Sequence, residues 1–160
     1  MELPDIVNID KKYYDFLRKI GIGEIYILEG NFLKRADKES FPFKVATFDF
    51  EKTIRRNRAN AIAFWEKYNF KLDKGLAEKM KENDIFIIFD LRNIKNNEFL
   101  PLLINNAYIA NDYGVNAIFA TFCKNEDEIL SAYQIMSIAE TLGYRYNNLR
   151  RSYKRLLEIS

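Results

Sequence analysis

The sequence predicts an α/β fold built from parallel β-α units in one domain over residues 1–160. Short runs rich in β-branched and aromatic residues recur, and each is followed by a helical pattern, which predicts parallel strands joined by right-handed crossovers. The chain shows no linker and no internal repeat. A complete eight-unit barrel usually needs about 250 residues. We therefore expect a small or incomplete TIM-like (β/α) barrel.

Six strands are predicted from the apolar runs. The run at residues 85–89 is the clearest, because a continuous apolar stretch is typical of a parallel strand buried on both faces. Residues 29–42 are polar and irregular, and we interpret them as a long loop or a degraded helix. The other five strands are predicted at residues 6–9, 24–28, 43–48, 60–64 and 115–121.

The helices are predicted from apolar residues at helical spacing, with polar N-caps and glycine ends. Asp10, Asp49 and Asp73 each precede such a pattern. The six helices are expected between Asp10 and Gly21, over residues 50–57, after Asp73, and over residues 97–113, 126–142 and 146–159.

The chain contains no histidine and a single cysteine, Cys123. Without histidine there is no Ser-His-Asp or Cys-His nucleophile pair, no His-ligated zinc and no imidazole base. One cysteine cannot form an internal disulfide or a thiolate metal cage. We interpret Cys123 as a buried, inert thiol.

Charge and segment composition favour a cytoplasmic protein without a membrane partner. The 25 basic residues nearly balance the 23 acidic ones, and the sequence pI is near 8.5, which allows a nucleic-acid partner without requiring one. The first ten residues are acidic, unlike a signal peptide. No apolar stretch approaches the roughly 18 residues of a membrane span.

In a parallel α/β fold, functional residues collect at the carboxyl ends of the strands. This places Asp10, Asp49 and Asp90 at one end, where carboxylates can bind a hard cation such as Mg²⁺. Asp is also a preferred N-cap residue, and we favour capping for Asp10 and Asp49. The alternative function is a metal-dependent, TIM-barrel-like hydrolase that uses these carboxylates.

Basic residues are concentrated in two short segments, one after the third strand and one in the C-terminal helix. Arginine outnumbers lysine in both, and guanidinium groups bind phosphate bidentately and stack on bases, as RNA recognition requires. A solvated helix face would carry similar charges, so both interpretations stay open. The residues are Lys52, Arg55, Arg56 and Arg58, and then Arg145, Arg150, Arg151, Lys154 and Arg155.

Two stretches carry a resemblance to a known family. The segment FKLDKGLAEKM at residues 70–80 leads into the strand at 85–89 and then into Asp90-Leu91-Arg92. The later strand begins after Tyr113-Gly114-Val115, and the chain continues through IAETLGY into a final LLEI. Over about residues 58–160 this collinear set resembles archaeal ribonuclease P protein component 3, the thirty-kilodalton RNase P subunit family.

The resemblance implies a barrel-like fold and a protein subunit of the endoribonuclease that removes the 5′ leader from precursor tRNA. In that ribonucleoprotein the RNA carries the catalysis with Mg²⁺, so this chain is expected to be noncatalytic and to bind no cofactor itself. The implied partners are the RNase P RNA, the other small protein subunits, especially the one paired with this subunit on the catalytic domain, and precursor tRNA.

On this hypothesis the chain has no catalytic residue and no metal ligand, and it binds RNA through basic side chains. Arg92 matches the family motif, whereas the others are chosen for their clustering. A structural subunit of a tRNA-splicing endonuclease is a third hypothesis, which the parallel units disfavour. The predicted RNA-binding residues are Arg55, Arg56, Arg58, Arg92, Arg150, Arg151, Lys74 and Lys124.

Overall fold

In the computed structural model, which describes residues 1–37 and 42–160, seven strands form one sheet that curls into a nearly closed barrel. The strands lie in chain order within the sheet. They are β1 (Leu3–Ile6), β2 (Ile22–Glu29), β3 (Phe32–Arg35), β4 (Phe43–Ala46), β5 (Ala61–Ile62), β6 (Phe86–Asp90) and β7 (Ala117–Ala120). The helices are α1 (Tyr14–Lys19), α2 (Phe50–Arg55), α3 (Lys74–Glu82), α4 (Leu100–Tyr113), α5 (Ala132–Leu142) and α6 (Tyr146–Ile159).

The sheet is mixed, which corrects the expectation that every unit is parallel. β1 pairs with β2 in parallel and β4 to β7 are parallel to one another, but β3 is antiparallel to both of its neighbours. β3 falls within residues 29–42, so the loop or degraded helix predicted there is wrong over Phe32–Arg35. Residues 38–41 of that segment lie outside the described residues.

Most other elements lie near their predicted positions. α6 has the predicted bounds and β6 is shifted by one residue, whereas β1 ends where the first predicted strand begins. The helix predicted over 126–142 is divided into a short 3₁₀ turn and α5, because Ser131 starts α5 with a capping box. No helix within the described ranges is long and apolar enough to cross a membrane.

Two of the three predicted aspartate caps are confirmed. Asp10 accepts a hydrogen bond from the backbone N–H of Lys12 at 2.9 Å, and Asp73 accepts one from Leu76 at 2.8 Å. Asp49 precedes α2 but makes no cap bond, because its backbone is left-handed, with φ of 51°. The capping interpretation is therefore wrong for Asp49.

The barrel interior is filled by side chains from alternate strand positions, and α6 closes one end of it. Leu156 of α6 is completely buried among these side chains. The Tyr26 hydroxyl lies 3.0 Å from the hydroxyl of Ser160 at the end of the same helix. The interior cluster comprises Ile6, Tyr26, Leu33, Phe43, Val45, Ala61, Ala63, Phe86, Ile88, Ile118, Ala120, Phe122 and Leu156.

The barrel closes where β1 meets the chain after β7. The Phe122 N–H donates to the Ile6 carbonyl at 2.8 Å. Beside this bond, the Asp5 carboxylate accepts from the Thr121 N–H at 2.8 Å and from the Thr121 hydroxyl at 2.7 Å. Asp5 is fully buried, and this burial raises its pKa from 3.8 to about 7. The closing contact therefore includes a carboxyl group whose charge is costly at neutral pH.

We expect the stability of the protein to fall as the pH rises from about 4 to about 8. A carboxyl group with a raised pKa in the folded state stabilises it fully below pH 3.8, and this contribution is lost as the pH rises through about 7. The change is up to about 4 kcal/mol for this shift. In Asp5→Asn, the amide Oδ1 can accept from the Thr121 N–H while Nδ2 donates to the Thr121 hydroxyl oxygen, and the group carries no charge. Urea unfolding across this range should therefore give a flatter pH profile for the variant.

The matched control is Asp15→Asn, because the Asp15 side chain is 93% exposed. This variant should keep the pH profile of the unmodified protein. Equal profiles for Asp5→Asn and the unmodified protein would contradict the assignment of the pH dependence to the closing contact.

Candidate nucleic-acid interface

The predicted RNA-binding residues are distributed over three surfaces. One surface surrounds α2, a second lies at the carboxyl ends of the strands, and a third lies on α6. The α2 surface has Arg55 on α2, Arg56 and Arg58 just after it, and Lys74 in the first turn of the adjoining α3. Arg92 and Lys124 line one cavity at the strand ends. Arg150 and Arg151 lie on α6.

The α2 surface consists of two cavities that share Asp49 and Lys52. Their volumes are about 210 and 800 Å³. α2 buries Phe50, Thr53 and Ile54, so its helical period leaves its charged residues outward. The lining has six basic and three acidic residues. These are Lys44, Lys52, Arg55, Arg56, Arg58 and Lys71, against Asp49, Glu51 and Asp73.

The arginines of the α2 surface differ in their partners. Arg55 forms an ion pair with Glu51 at 3.2 Å, on the exposed face of α2. Arg56 and Arg58 are exposed and have no ion pair within the described part of the chain. Arg56 and Arg58 are therefore the arginines that are more available to an external anion.

The barrel mouth is the cavity of about 260 Å³ at the carboxyl ends of the strands, lined by Val7, Asn8, Ile27, Leu28, Phe64, Arg92, Phe122 and Lys124. Arg92 is fixed there by Asp90, the last residue of β6. The Arg92 Nε and Nη2 groups donate to the two Asp90 carboxylate oxygens at 2.9 and 2.6 Å. The Asp90 side chain is only 4% exposed, so the ion pair positions the guanidinium group.

Phe64 and Phe122 are mouth residues that the sequence did not identify as functional. Their ring centroids are 5.3 Å apart, and the Arg92 guanidinium lies 4.9 Å from the Phe122 ring. Lys67 lies 5.2 Å from the Phe64 ring. The available signal was their position at the ends of predicted strands, since Phe64 is the last residue of one and Phe122 directly follows another.

The basic residues of α6 have more varied roles than their clustering indicates. Arg151 donates at 2.9 Å to the Gly114 carbonyl, which follows α4. Arg155 forms ion pairs with Asp84 and Glu158. Arg150 is exposed and lies over the Tyr146 ring at 5.8 Å. Arg150 is thus the more available of the two predicted RNA-binding residues on α6.

The strand-end carboxylates are engaged at separate places. Asp10 caps a 3₁₀ turn, Asp49 lines the α2 surface and Asp90 binds Arg92. The described residues contain no group of three or more His, Cys, Asp or Glu positioned to hold a metal ion. Cys123 is fully buried, and burial raises the pKa of its thiol to about 11, which agrees with an inert thiol.

Comparisons with known proteins do not assign the chain to a family. No family model matches it, and no curated protein matches it. The candidate interface is therefore defined by its own geometry: an α/β barrel-like fold with a basic surface at α2 and a cation-lined mouth.

We expect Arg92→Gln to destabilise the protein by about 1–3 kcal/mol, because it leaves the buried Asp90 carboxylate without its charged donor. The double variant Asp90→Asn, Arg92→Gln should recover part of this loss, since it removes the unpaired charge. Urea unfolding measures both effects. Arg55→Gln is the control, and removing its exposed ion pair should cost less than about 1 kcal/mol. Unchanged stability of Arg92→Gln would show that Asp90 does not depend on this pair.

Proposed function

We propose that this chain is a noncatalytic, RNA-binding protein subunit of ribonuclease P. The observation that carries the RNA-binding part is the α2 surface, where six basic residues stand against three acidic ones. The assignment to ribonuclease P is supported by the collinear sequence resemblance over about residues 58–160. The two arguments are independent of each other.

The composition of the α2 surface suits a polyanion with bases. Phe48 and Tyr68 line its cavities and are 58% and 61% exposed. Exposed aromatic rings offer stacking surfaces for unpaired bases, and the surrounding cations neutralise phosphates.

We propose further that the barrel is a reduced TIM-like barrel. Four of the six strand pairings are parallel, and β1 meets the chain after β7. The hairpin of β2 and β3 stands where a further parallel β-α unit would otherwise extend the barrel. The candidate residues Arg92 and Lys124 lie at the carboxyl ends of the strands, as in TIM barrels.

In the proposed cytoplasmic particle, the RNA performs the cleavage of precursor tRNA and holds the Mg²⁺. This chain neutralises phosphates and fixes the shape of the RNA beside its partner subunit. A buried thiol and a lack of histidine are compatible with this role, because the protein supplies no reacting group.

We expect the double variant Arg56→Gln, Arg58→Gln to weaken RNA binding and to lower its dependence on salt. Each phosphate contact contributes roughly −0.9 to the slope of log K against log salt concentration. The slope of the variant should therefore be less steep, smaller in magnitude by about 2. Fluorescence anisotropy with labelled RNA over a series of salt concentrations measures this. The control is Arg18→Gln, Lys19→Gln, which removes the same charge from α1. Unchanged affinity and slope would overturn the assignment of Arg56 and Arg58 to phosphates.

We expect a tagged form of the chain, purified from its native organism, to carry a structured RNA and several small proteins. The recovered fraction should remove the 5′ leader from precursor tRNA in the presence of Mg²⁺. Sequencing of the RNA and mass spectrometry of the proteins identify the components. Recovery of the chain alone, or with an RNA that does not process precursor tRNA, would refute the ribonuclease P assignment.

A further inference from the structure

Two phenylalanines at the barrel mouth have a backbone conformation that phenylalanine rarely adopts. Phe64 has φ of 59° and Phe122 has φ of 48°. The left-handed region is strained for a bulky side chain, so such a residue stays there only where the surrounding structure holds it. The other non-glycine residues with positive φ in the described chain are all of the types that tolerate it, Asp49, Asn57, Asn69 and Asp84. The two phenylalanines are therefore the exceptions.

Both strained residues contribute rings to the same cavity. Phe64 follows β5 and Phe122 follows β7, and both line the mouth. Their rings are tilted at 44° with centroids 5.3 Å apart. Strained residues persist where the surrounding structure holds them, and they cluster at ligand sites. Phe122 is only 6% exposed, and its ring contacts Phe64 and the Arg92 guanidinium. It therefore supports the half-buried Phe64 ring, which is the aromatic surface that the mouth offers to a flat group.

The cations that line the mouth can bind an anion, although Asp90 pairs with Arg92 and Glu128 accepts from the Lys124 N–H beside the mouth. The eight lining residues include Arg92 and Lys124 and no acidic residue. Arg92 uses Nε and Nη2 on Asp90, and its Nη1 makes no hydrogen bond within the described residues. Asn8 adds an amide with both donor and acceptor groups. A ligand that combines an aromatic ring with a negative charge satisfies all these groups.

The size of the mouth limits the ligand to one small ring system. Its volume of about 260 Å³ lies just below the roughly 300–1,000 Å³ of drug-sized ligand sites. A single nucleotide fits this description, because its base is flat and its phosphate is charged. Unstacked bases of single-stranded RNA are recognised by aromatic rings and guanidinium planes.

We propose that the barrel mouth binds one unpaired nucleotide of an RNA, with the base against Phe64, which Phe122 supports, and the phosphate on Arg92 and Lys124. This proposal rests on the RNA binding proposed above and adds a second, distinct contact to it. The α2 surface binds phosphates along the RNA, whereas the mouth selects an unpaired base.

The test is photocrosslinking of the full chain to a hexanucleotide that contains 4-thiouridine, with the adducts located by mass spectrometry. Adducts are expected on Phe64 or Asn8. Lys124→Gln should reduce hexanucleotide affinity, measured by anisotropy, while Lys19→Gln should not. Phe64→Leu should reduce it by at least about 5-fold, since a stacked base contributes about 1–3 kcal/mol.

The outcomes separate this proposal from the proposed function. RNA that binds but crosslinks only at the α2 surface would overturn the mouth site and leave the RNA-binding function standing. An absence of RNA binding would overturn both. Free AMP or UMP bound as tightly as the hexanucleotide would assign the mouth to a free nucleotide and overturn its role in RNA binding. Because crosslinking uses the unmodified chain, the result does not depend on how a variant folds.

Discussion

The closure of the barrel at Asp5 and Thr121 is the contact on which the rest of the structure depends. It joins the first strand of the chain to the segment after the last, through two hydrogen bonds to a buried carboxyl group. The same junction brings Asn8 beside Phe122 and Lys124 at the mouth. The mouth therefore exists only when the two ends of the sheet meet. Closure of the barrel is thus required both for the fold and for the candidate site.

The second requirement is the helix that closes the other end of the barrel. α6 inserts Leu156 into the interior and places Ser160 beside Tyr26. This role explains why its arginines are unequal. Arg151 attaches α6 to the chain after α4, and Arg155 binds Asp84. The basic cluster in the sequence is thus divided between Arg151 and Arg155, which hold the helix in place, and three exposed cations, Arg145, Arg150 and Lys154.

The sequence predicted those elements whose signals are local. β6 is buried on both faces and therefore has a continuous apolar run, whereas α6 is buried on one face and has apolar residues at helical spacing. Both patterns are visible in the sequence. β3 was missed because it has only four residues, and its two buried positions are Leu33 and the charged Arg35. The alternation of apolar and polar residues that indicates a strand is therefore absent. The left-handed backbone of Phe64 and Phe122 has no signal in residue type, since only tertiary packing determines it.

The two candidate RNA contacts lie within reach of one short RNA. Arg58 precedes β5 and Phe64 follows it, so their Cα atoms are at most about 20 Å apart along an extended chain of six residues. Phosphates of one strand of B-form DNA are spaced about 3.4 Å along the axis, and by that measure this distance corresponds to roughly six nucleotides. One RNA segment can therefore contact the α2 surface through its backbone and the mouth through an unpaired base. Because backbone contacts carry no base information, the mouth is the part of the proposed interface that would distinguish an unpaired nucleotide from a duplex.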